Sequence, residues 1–205
     1  MARDLHPVVK RSRRESYALH PKAHKALVKR STIPGQHGRT PQRGKASQYA
    51  LQLREKQKVK RLYGLLERAF AKLMAEALRA EGQSGELLLQ FLERRLDNAV
   101  YRAGFAPSRR SARQLVTHGH FALNDRRVDV PSTRLSQGDK VTLNKASAKS
   151  EYFKHLDELS PAPGEIPQWL KVNRKSLEIA VSALPSREDA EPDIKEQLIV
   201  EYYSR

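Results

Sequence analysis

The sequence contains no cysteine, which excludes disulfides, thiolate zinc sites and thiol nucleophiles. It has no apolar run near the ~20 residues of a membrane span, and its first residues lack the apolar core of a signal peptide. The glycine patterns of dinucleotide-binding and phosphate-binding loops are absent too. We therefore expect a soluble, intracellular protein, and the missing cysteine is compatible with a reducing cytosol.

The net charge of +16 is distributed unevenly along the chain. Residues 1–61 carry +14 and residues 93–155 carry +7, whereas residues 62–92 carry −1 and residues 156–205 carry −4. A polyanion would relieve the resulting self-repulsion, and nucleic acid is the commonest such partner. The two basic segments are therefore predicted to contact the partner, and the other two to form a scaffold or to meet protein.

Proline and glycine are concentrated at the start of the chain, which predicts an irregular basic arm over residues 1–45, poorly ordered alone. Apolar residues then recur at helical spacing from Leu62 to Leu78. This stripe predicts one long helix that begins in the basic stretch and ends near Gly82. Two further helices are predicted, over Gly85–Ala103 and from Ser108 to near Gly119.

The apolar spacing changes after the third helix. Phe121–Val130 predicts a hairpin or bent strand pair, and Lys140–Asn144 another strand. A proline-rich loop follows, with Trp169 as an expected core residue. The pattern leaves open whether Leu198–Tyr203 is helix or strand.

Residues 47–64 form the most informative segment, because they combine cations with glutamine and tyrosine. Cations neutralise phosphates, glutamine can bond base edges or 2′-hydroxyls, and tyrosine can stack on bases. The alternative is a solvated helix face, although only Glu55 offers an acidic partner there. The predicted RNA contacts of this segment are Gln52, Arg54, Lys56, Gln57, Lys58, Lys60, Arg61 and Tyr63.

The two later helices carry a second basic rim and are joined by the tight turn Gly104–Pro107. This arrangement is similar to a helix-turn-helix, so DNA binding stays open beside RNA binding. Arginine suits either nucleic acid, since its planar fork matches phosphate. The predicted contacts are Arg94, Arg95, Ser108, Arg109, Arg110, Arg113, Gln114 and His118.

A third candidate is the loop Pro34–Gly38, in which Pro-Gly favours a type II turn and two glycines allow close approach of a phosphate. A plain surface turn is the alternative. This loop and the basic arm together give the predicted contacts Arg3, Lys10, Arg11, Arg13, Arg14, Gln36, His37, Arg39 and Arg43. His20 and His24 have the spacing of metal ligands, but no further ligand is near in sequence, so neither metal nor cofactor is expected. No arrangement of residues indicates catalysis.

Five segments, in order along nearly the whole chain, resemble the bacterial uS4 family of small-subunit ribosomal proteins. They are Pro34–Gly38, Tyr49–Gly64, Glu93–Phe105, Ala112–Val116 and Leu198–Ser204. The resemblance implies an α+β protein: a mostly helical domain over residues 46–92 and 160–205, with a small α+β RNA-binding domain inserted over residues 93–159. In that insert, two helices pack on a small bent sheet.

The resemblance also implies a structural component of the ribosome, in the cytoplasm, and not an enzyme. It implies a primary binder of the 5′ domain of 16S ribosomal RNA that nucleates assembly of the 30S body and contributes to translational accuracy. The implied partners are neighbouring ribosomal proteins, notably uS5, near the path by which messenger RNA enters, with no membrane and no obligate homo-oligomer. The chain departs from relatives whose four N-terminal cysteines bind zinc or a cluster, so no metal is expected.

Two other functions compete with this interpretation. An enzyme that borrows the small RNA-binding domain would need a separate catalytic domain, and only about 50 acidic, proline-rich residues follow residue 156. A DNA-binding regulator built on the helix pair would prefer duplex DNA to structured RNA.

Overall fold

The computed structural model describes residues 4–39 and 46–204, without the side chain of Arg39. The chain divides into two compact units. The first comprises Met1–Leu88 and Asp193–Arg205, and the second Leu89–Pro192. The first unit is therefore discontinuous in sequence, and the second is inserted into it.

The described residues form α1 (Val8–Glu15), α2 (Ala23–Lys29), α3 (Gln48–Leu62), α4 (Glu67–Arg79), α5 (Ser84–Glu93), α6 (Leu96–Arg102), α7 (Arg109–Thr117), α8 (Glu151–Lys154), α9 (Leu156–Leu159) and α10 (Glu196–Tyr203). The strands are β1 (Phe121–Leu123), β2 (Arg126–Val128), β3 (Lys140–Leu143), β4 (Leu170–Asn173) and β5 (Glu178–Val181). Short 3₁₀ helices cover Gln36–Arg39 and Ser147–Lys149. The fold is thus mixed and mostly helical, as predicted.

The N-terminal segment is more regular than the sequence predicted, because it contains α1 and α2. Leu19 and Ala23 are buried and give these helices a small apolar core. Ser12 is also buried, and its hydroxyl donates to the Val8 carbonyl at 2.9 Å while accepting from the Leu19 amide at 3.3 Å. The buried serine hydroxyl is therefore hydrogen-bonded within the N-terminal segment.

The predicted long helix is instead two helices, α3 and α4. Ser47 caps α3 by accepting from the Ala50 amide at 3.2 Å. The chain turns after α3 at Gly64, whose φ of +65° is left-handed, and the Leu65 amide bonds the Lys60 carbonyl at 2.9 Å. The predicted core positions of α4 are confirmed in part: Phe70, Leu73, Met74 and Ala77 are buried, whereas Leu66, Ala69 and Leu78 are exposed.

The helix predicted over Gly85–Ala103 is also two helices, α5 and α6. Between them Arg94 lies in a turn and the backbone of Arg95 is extended, and Arg95 forms an isolated β-bridge with Arg134. Gly104, with φ +75°, ends the second helix as predicted. Ser108 caps α7 by accepting from the Ser111 amide at 3.2 Å, which confirms the predicted start.

The five strands form one antiparallel sheet in the order β2-β1-β3-β5-β4. The predicted hairpin is β1–β2, and its turn residues Asn124 and Asp125 both have positive φ, as a type I′ turn requires. Strands β4 and β5 were not predicted. β5 pairs with β3 on one side and with β4 on the other. Residues 160–192 therefore lie in the second unit and not, as the sequence suggested, in the helical scaffold.

The core of the second unit lies between the sheet, α6 and α7. Leu123, Val141, Ile179 and Val172 are aligned across four strands and face this core. Trp169 is only 2 % exposed, which confirms its predicted core position. In the first unit α3 packs against α10, so the undecided segment Leu198–Tyr203 is helical. None of the described helices has the length and apolar character needed to cross a membrane.

Candidate nucleic-acid interface

The cations of α1 divide into exposed and internally paired side chains. The exposed ones are Lys10 and Arg14. Arg11 forms an ion pair with the buried Asp4. Arg13 donates to the Thr32 carbonyl at 2.9 and 3.1 Å, which ties α1 to the segment after α2. Lys10 and Arg14 are therefore the most exposed cations of this helix, while Arg11 and Arg13, which are partly exposed, also hold it in place.

The Pro34–Gly38 loop presents Gln36 and His37 to solvent, as a contact surface requires. Gly35 has φ +120°, a conformation that glycine allows. At Gly38 a Cβ would lie 1.7 Å from the Ile33 carbonyl oxygen, so this glycine is needed for close approach of the chain's own backbone. Arg3, Arg43 and the side chain of Arg39, also predicted contacts, lie outside the described residues.

Three of the predicted contacts on and after α3 are buried rather than displayed. Gln52, Lys56 and Tyr63 are only 2 %, 4 % and 4 % exposed. Gln52 donates to Glu201 at 2.6 Å, and the Lys56 ammonium lies 4.4 Å from the ring centroid of Tyr202. Gln52 and Lys56 therefore join α3 to α10, and the burial of all three side chains corrects the prediction that they lie on the surface.

The other cations of α3 are partly exposed, and each has an acidic partner. Arg54 and Arg61 both contact the Glu15 carboxylate, Arg54 at 3.2 Å. Lys58 pairs with Glu55 at 2.8 Å and donates to the Asp193 carbonyl. The two remaining predicted residues are Lys60, which pairs with Glu67 at 2.6 Å, and Gln57. The basic face of α3 is thus a set of ion pairs whose cations still reach solvent.

Glu67, the partner of Lys60, makes the stability of the folded state depend on pH. Burial by itself would raise the pKa of Glu67. Hydrogen bonds from Lys56, Lys60 and Tyr203 outweigh burial and lower that pKa to about 2. A lowered carboxyl pKa stabilises the folded state above the ordinary value of 4.5, and the stabilisation is lost as the pH falls through about 2.

The Glu67→Gln variant should therefore unfold more easily than the native protein at pH 6, by about 1 kcal/mol, because the half-exposed carboxylate is partly screened by water. Urea unfolding at pH 6 and near pH 2 measures the difference, which should disappear at the lower pH. Glu81→Gln, an exposed site on the same unit, is the matched control. A difference that stays constant with pH would contradict this role for Glu67.

In the second unit the predicted contacts lie at the start of α6 and along α7. Exposed or partly exposed are Arg94, Arg109, Arg110, Arg113, Gln114 and His118. Arg95 and Ser108 are buried, at 4 % and 8 % exposure, which corrects the prediction that they lie on the surface. Arg95 forms a two-pronged ion pair with Asp97, at 3.0 and 2.8 Å, and Ser108 caps α7.

A buried network holds the arginines of α6 and α7. Glu93 has no exposed side-chain surface and accepts hydrogen bonds from Asn98 at 2.7 Å and from Arg102 at 2.9 and 3.1 Å. Arg109 donates to Asn98 at 2.9 Å and to Glu191 at 3.1 Å. These carboxylates fix where the guanidinium groups lie, so the rim of α7 is preorganised.

Arg126 and Arg127, on the edge strand β2, are exposed cations that were not among the predicted contacts. They follow the hairpin turn, and Arg127 reaches toward the end of α7, where its guanidinium lies against Gly119. The dipeptide was visible in the sequence, but only the hairpin geometry brings it next to α7. The second unit therefore presents a cationic surface made from both a helix and a hairpin.

The described residues contain no cluster of three or more acidic or histidine side chains that could hold a metal ion. His20, one of the two histidines with metal-ligand spacing, accepts a hydrogen bond from the Lys22 amide at 3.1 Å. The chemistry on offer is anion binding by arginine and lysine, with glutamine and histidine available for hydrogen bonds.

Comparisons with known proteins identify the family of the chain. The profile of the Ribosomal protein S4/S9 N-terminal domain matches residues 3–93, and that of the S4 domain matches residues 94–141. The chain is similar to small ribosomal subunit protein uS4 of Roseiflexus castenholzii (48% identity), Chloroflexus aurantiacus (49%) and Chlorobaculum tepidum (46%). Each alignment covers 100% of both chains. The chain therefore belongs to the uS4 family of small ribosomal subunit proteins.

Proposed function

We propose that this protein is a primary binder of 16S ribosomal RNA, which recognises the 5′ domain, nucleates assembly of the 30S body and contributes to translational accuracy. Family membership makes it a component of the small ribosomal subunit, in the cytoplasm. The family consists of structural ribosomal proteins and is not known for enzymes. The RNA-binding role of the chain is therefore structural, through contacts that hold folded RNA.

The cationic surface of α7 within the S4 domain carries this proposal. Arg110 is exposed. On the same helix, Arg109 and Arg113 are held in fixed positions by the carboxylates of Glu191 and Asp97. Fixed guanidinium groups lose little conformational freedom when they bind phosphate, and their fork matches its geometry. Electrostatic capture followed by recognition of RNA shape is the mechanism that this surface supports.

The proposed contacts are the predicted residues that reach solvent, together with those outside the described part of the chain. They are Arg3, Lys10, Arg11, Arg13, Arg14, Gln36, His37, Arg39, Arg43, Arg54, Gln57, Lys58, Lys60, Arg61, Arg94, Arg109, Arg110, Arg113, Gln114 and His118. The buried residues Gln52, Lys56, Tyr63, Arg95 and Ser108 support these contacts by holding α3, α6 and α7 in place.

The acidic last segment is the proposed protein-facing surface. Residues 156–205 carry a net charge of −4, which disfavours contact with RNA and suits a basic neighbour. We propose that this neighbour is uS5, near the path by which messenger RNA enters the subunit. Cross-linking of the assembled subunit, read out by mass spectrometry, should join this segment to uS5.

Affinity for a transcript of the 16S 5′ domain should fall steeply with salt. With 6–10 phosphates contacted, the loss between 50 and 200 mM salt should be roughly 10³- to 10⁵-fold. The Arg110→Ala variant should lower the slope by about 0.7–0.9, one phosphate contact, whereas Arg79→Ala on the exposed side of α4 should leave it unchanged. Filter binding over a salt series measures both slopes.

The same assay separates RNA binding from the DNA-binding alternative suggested by the α6–α7 pair. Duplex DNA added as competitor should displace little ribosomal RNA at physiological salt. Preferential binding of the duplex, or an RNA affinity that hardly changes with salt, would contradict the proposed function.

A further inference from the structure

Glu15, the last residue of α1, is a buried carboxylate surrounded by cations. Its side chain has no exposed surface. Its Oε1 atom accepts from Nη1 of Arg54 at 3.2 Å and from Nη1 of Arg61. Within the described residues its second oxygen, Oε2, has no hydrogen-bond partner. One oxygen atom therefore joins two arginines of α3 to the N-terminal helix.

The two arginines contact one oxygen atom although they start from separate turns of α3. Arg54 and Arg61 are seven residues apart, about two helical turns or 10 Å along the axis of α3. Donors that share one acceptor oxygen lie within about 6 Å of each other. Like charges at that separation repel, so the carboxylate between them is what keeps both guanidinium groups at one place.

The arrangement is unfavourable for Glu15 itself. Burial raises the pKa of Glu15 above its ordinary value, although Arg54, Arg61 and Arg14 act to lower it. Burial likewise lowers the pKa of Arg61. A buried ion pair of this kind contributes little net stability, because desolvation offsets the attraction. Its effect is to fix geometry more than to stabilise the fold.

The cations are exposed where the carboxylate is not. The Arg54 and Arg61 side chains are 42 % and 18 % exposed, against 0 % for Glu15. Each guanidinium has five N–H donors, and the hydrogen bonds to Glu15 use one nitrogen of each. Two adjacent guanidinium forks with a carboxylate behind them keep a net positive charge, which suits a single phosphodiester group.

We propose that Glu15 is a positioning residue for RNA binding, which holds Arg54 and Arg61 together as a seat for one RNA phosphate at the junction of α1 and α3. The proposal rests on the proposed function, and it adds an acidic residue of the basic N-terminal segment that was not among the predicted contacts. An acidic residue here strengthens the binding of an anion because it organises the cations that meet it.

The Glu15→Gln variant tests this role, because the loss of a negative charge and the loss of the paired arginines change RNA affinity in opposite directions. Removing one negative charge alone should tighten RNA binding slightly. Loss of the paired arginines should instead weaken binding of the 16S 5′-domain transcript about tenfold, the size of one charge-assisted contact, and lower the salt slope by about 0.7–0.9. Glu81→Gln, an exposed site with the same charge change, measures the charge effect by itself.

A double-mutant cycle shows whether Glu15 acts through the arginines. In the Arg54→Ala, Arg61→Ala background, Glu15→Gln should no longer weaken binding. An equal loss in that background would mean a structural role only and would overturn the proposal. So would Glu15→Gln binding as tightly as Glu81→Gln.

Glu15→Asp covers the case in which the glutamine variant fails to fold. It keeps the charge but withdraws it by one methylene, so it should retain more affinity than Glu15→Gln. If Glu15→Gln is unfolded, the salt slope of Glu15→Asp should differ from the native slope by no more than half of the change of about 0.7–0.9 expected for Glu15→Gln. Circular dichroism verifies the helices of each variant. Failure of the native protein to bind the transcript would reject the proposed function. If the native protein binds and the Glu15 variants bind equally well, only the proposed role of Glu15 is rejected.

Discussion

Glu93→Ala should lower the free energy of unfolding by about 3–5 kcal/mol, the cost of removing one partner from a buried ion pair. The carboxylate is inaccessible to water and accepts from Asn98 and from two nitrogens of Arg102. Without it Asn98 and Arg102 each lose an acceptor, and the Arg102 guanidinium keeps the more distant carboxylate of Glu191 at 3.6 Å. Urea unfolding followed by circular dichroism measures the loss.

The same variant should also weaken RNA binding, because Asn98 orients Arg109 through a 2.9 Å hydrogen bond. Glu86→Ala is the matched control, since Glu86 lies on the same helix but is exposed. It should change stability by less than about 0.5 kcal/mol. If both alanine variants behaved alike, the network around Glu93 would not hold the α6–α7 arginines.

Phe121→Ala should lower the free energy of unfolding by about 3–5 kcal/mol, as large-to-small changes in well-packed cores do. Phe121 is fully buried at the start of β1. Its ring stacks on Phe105 at 6.4 Å between centroids and meets Phe153 edge-on at 6.2 Å. The alanine would leave a cavity under the hairpin that carries Arg126 and Arg127, so the helix and the hairpin would lose their shared support.

Thermal or urea unfolding measures this loss, with Phe121→Leu as a variant that removes less volume and should cost clearly less. Leu66→Ala is the control for an exposed apolar residue, and its effect should be small. A Phe121→Ala protein as stable as the native one would show that this aromatic cluster does not hold the second unit together.

Apolar spacing predicted where helices exist but not where they break. The stripe from Leu62 to Leu78 has helical periodicity throughout, yet the chain turns at Gly64 because left-handed glycine and the Lys60–Leu65 hydrogen bond end α3 there. At Arg95 the break comes from a β-bridge to Arg134, 39 residues further along. Local periodicity carries no information on such a distant partner.

The distribution of cations was predicted better than their exposure. Composition identified the basic segments, but whether a given side chain reaches solvent depends on acidic partners far away in sequence. The buried Gln52 donates to Glu201, 149 residues later, and Arg54 donates to Glu15, 39 residues earlier. A list of basic residues therefore mixes contacts with the residues that position them.

Strands β4 and β5 escaped prediction because they follow a proline-rich loop and are short. Their hairpin is closed by residues 174–177, where Leu177 has φ +53°, an uncommon conformation for leucine. Ile179 and Val181 alternate with outward residues, but four residues give too short a pattern to be distinguished from the surrounding loop. The sheet is therefore larger than the sequence indicated.

The discontinuity of the first unit sets an order for folding during synthesis. α10, which packs on α3, follows every residue of the second unit in the chain. A ribosome that makes this protein therefore releases all of the inserted unit before the partner of α3 emerges. The inserted unit can complete its core while the nascent chain still lacks α10. The packing of α3 against α10 comes last, although α3 is synthesised before the inserted unit.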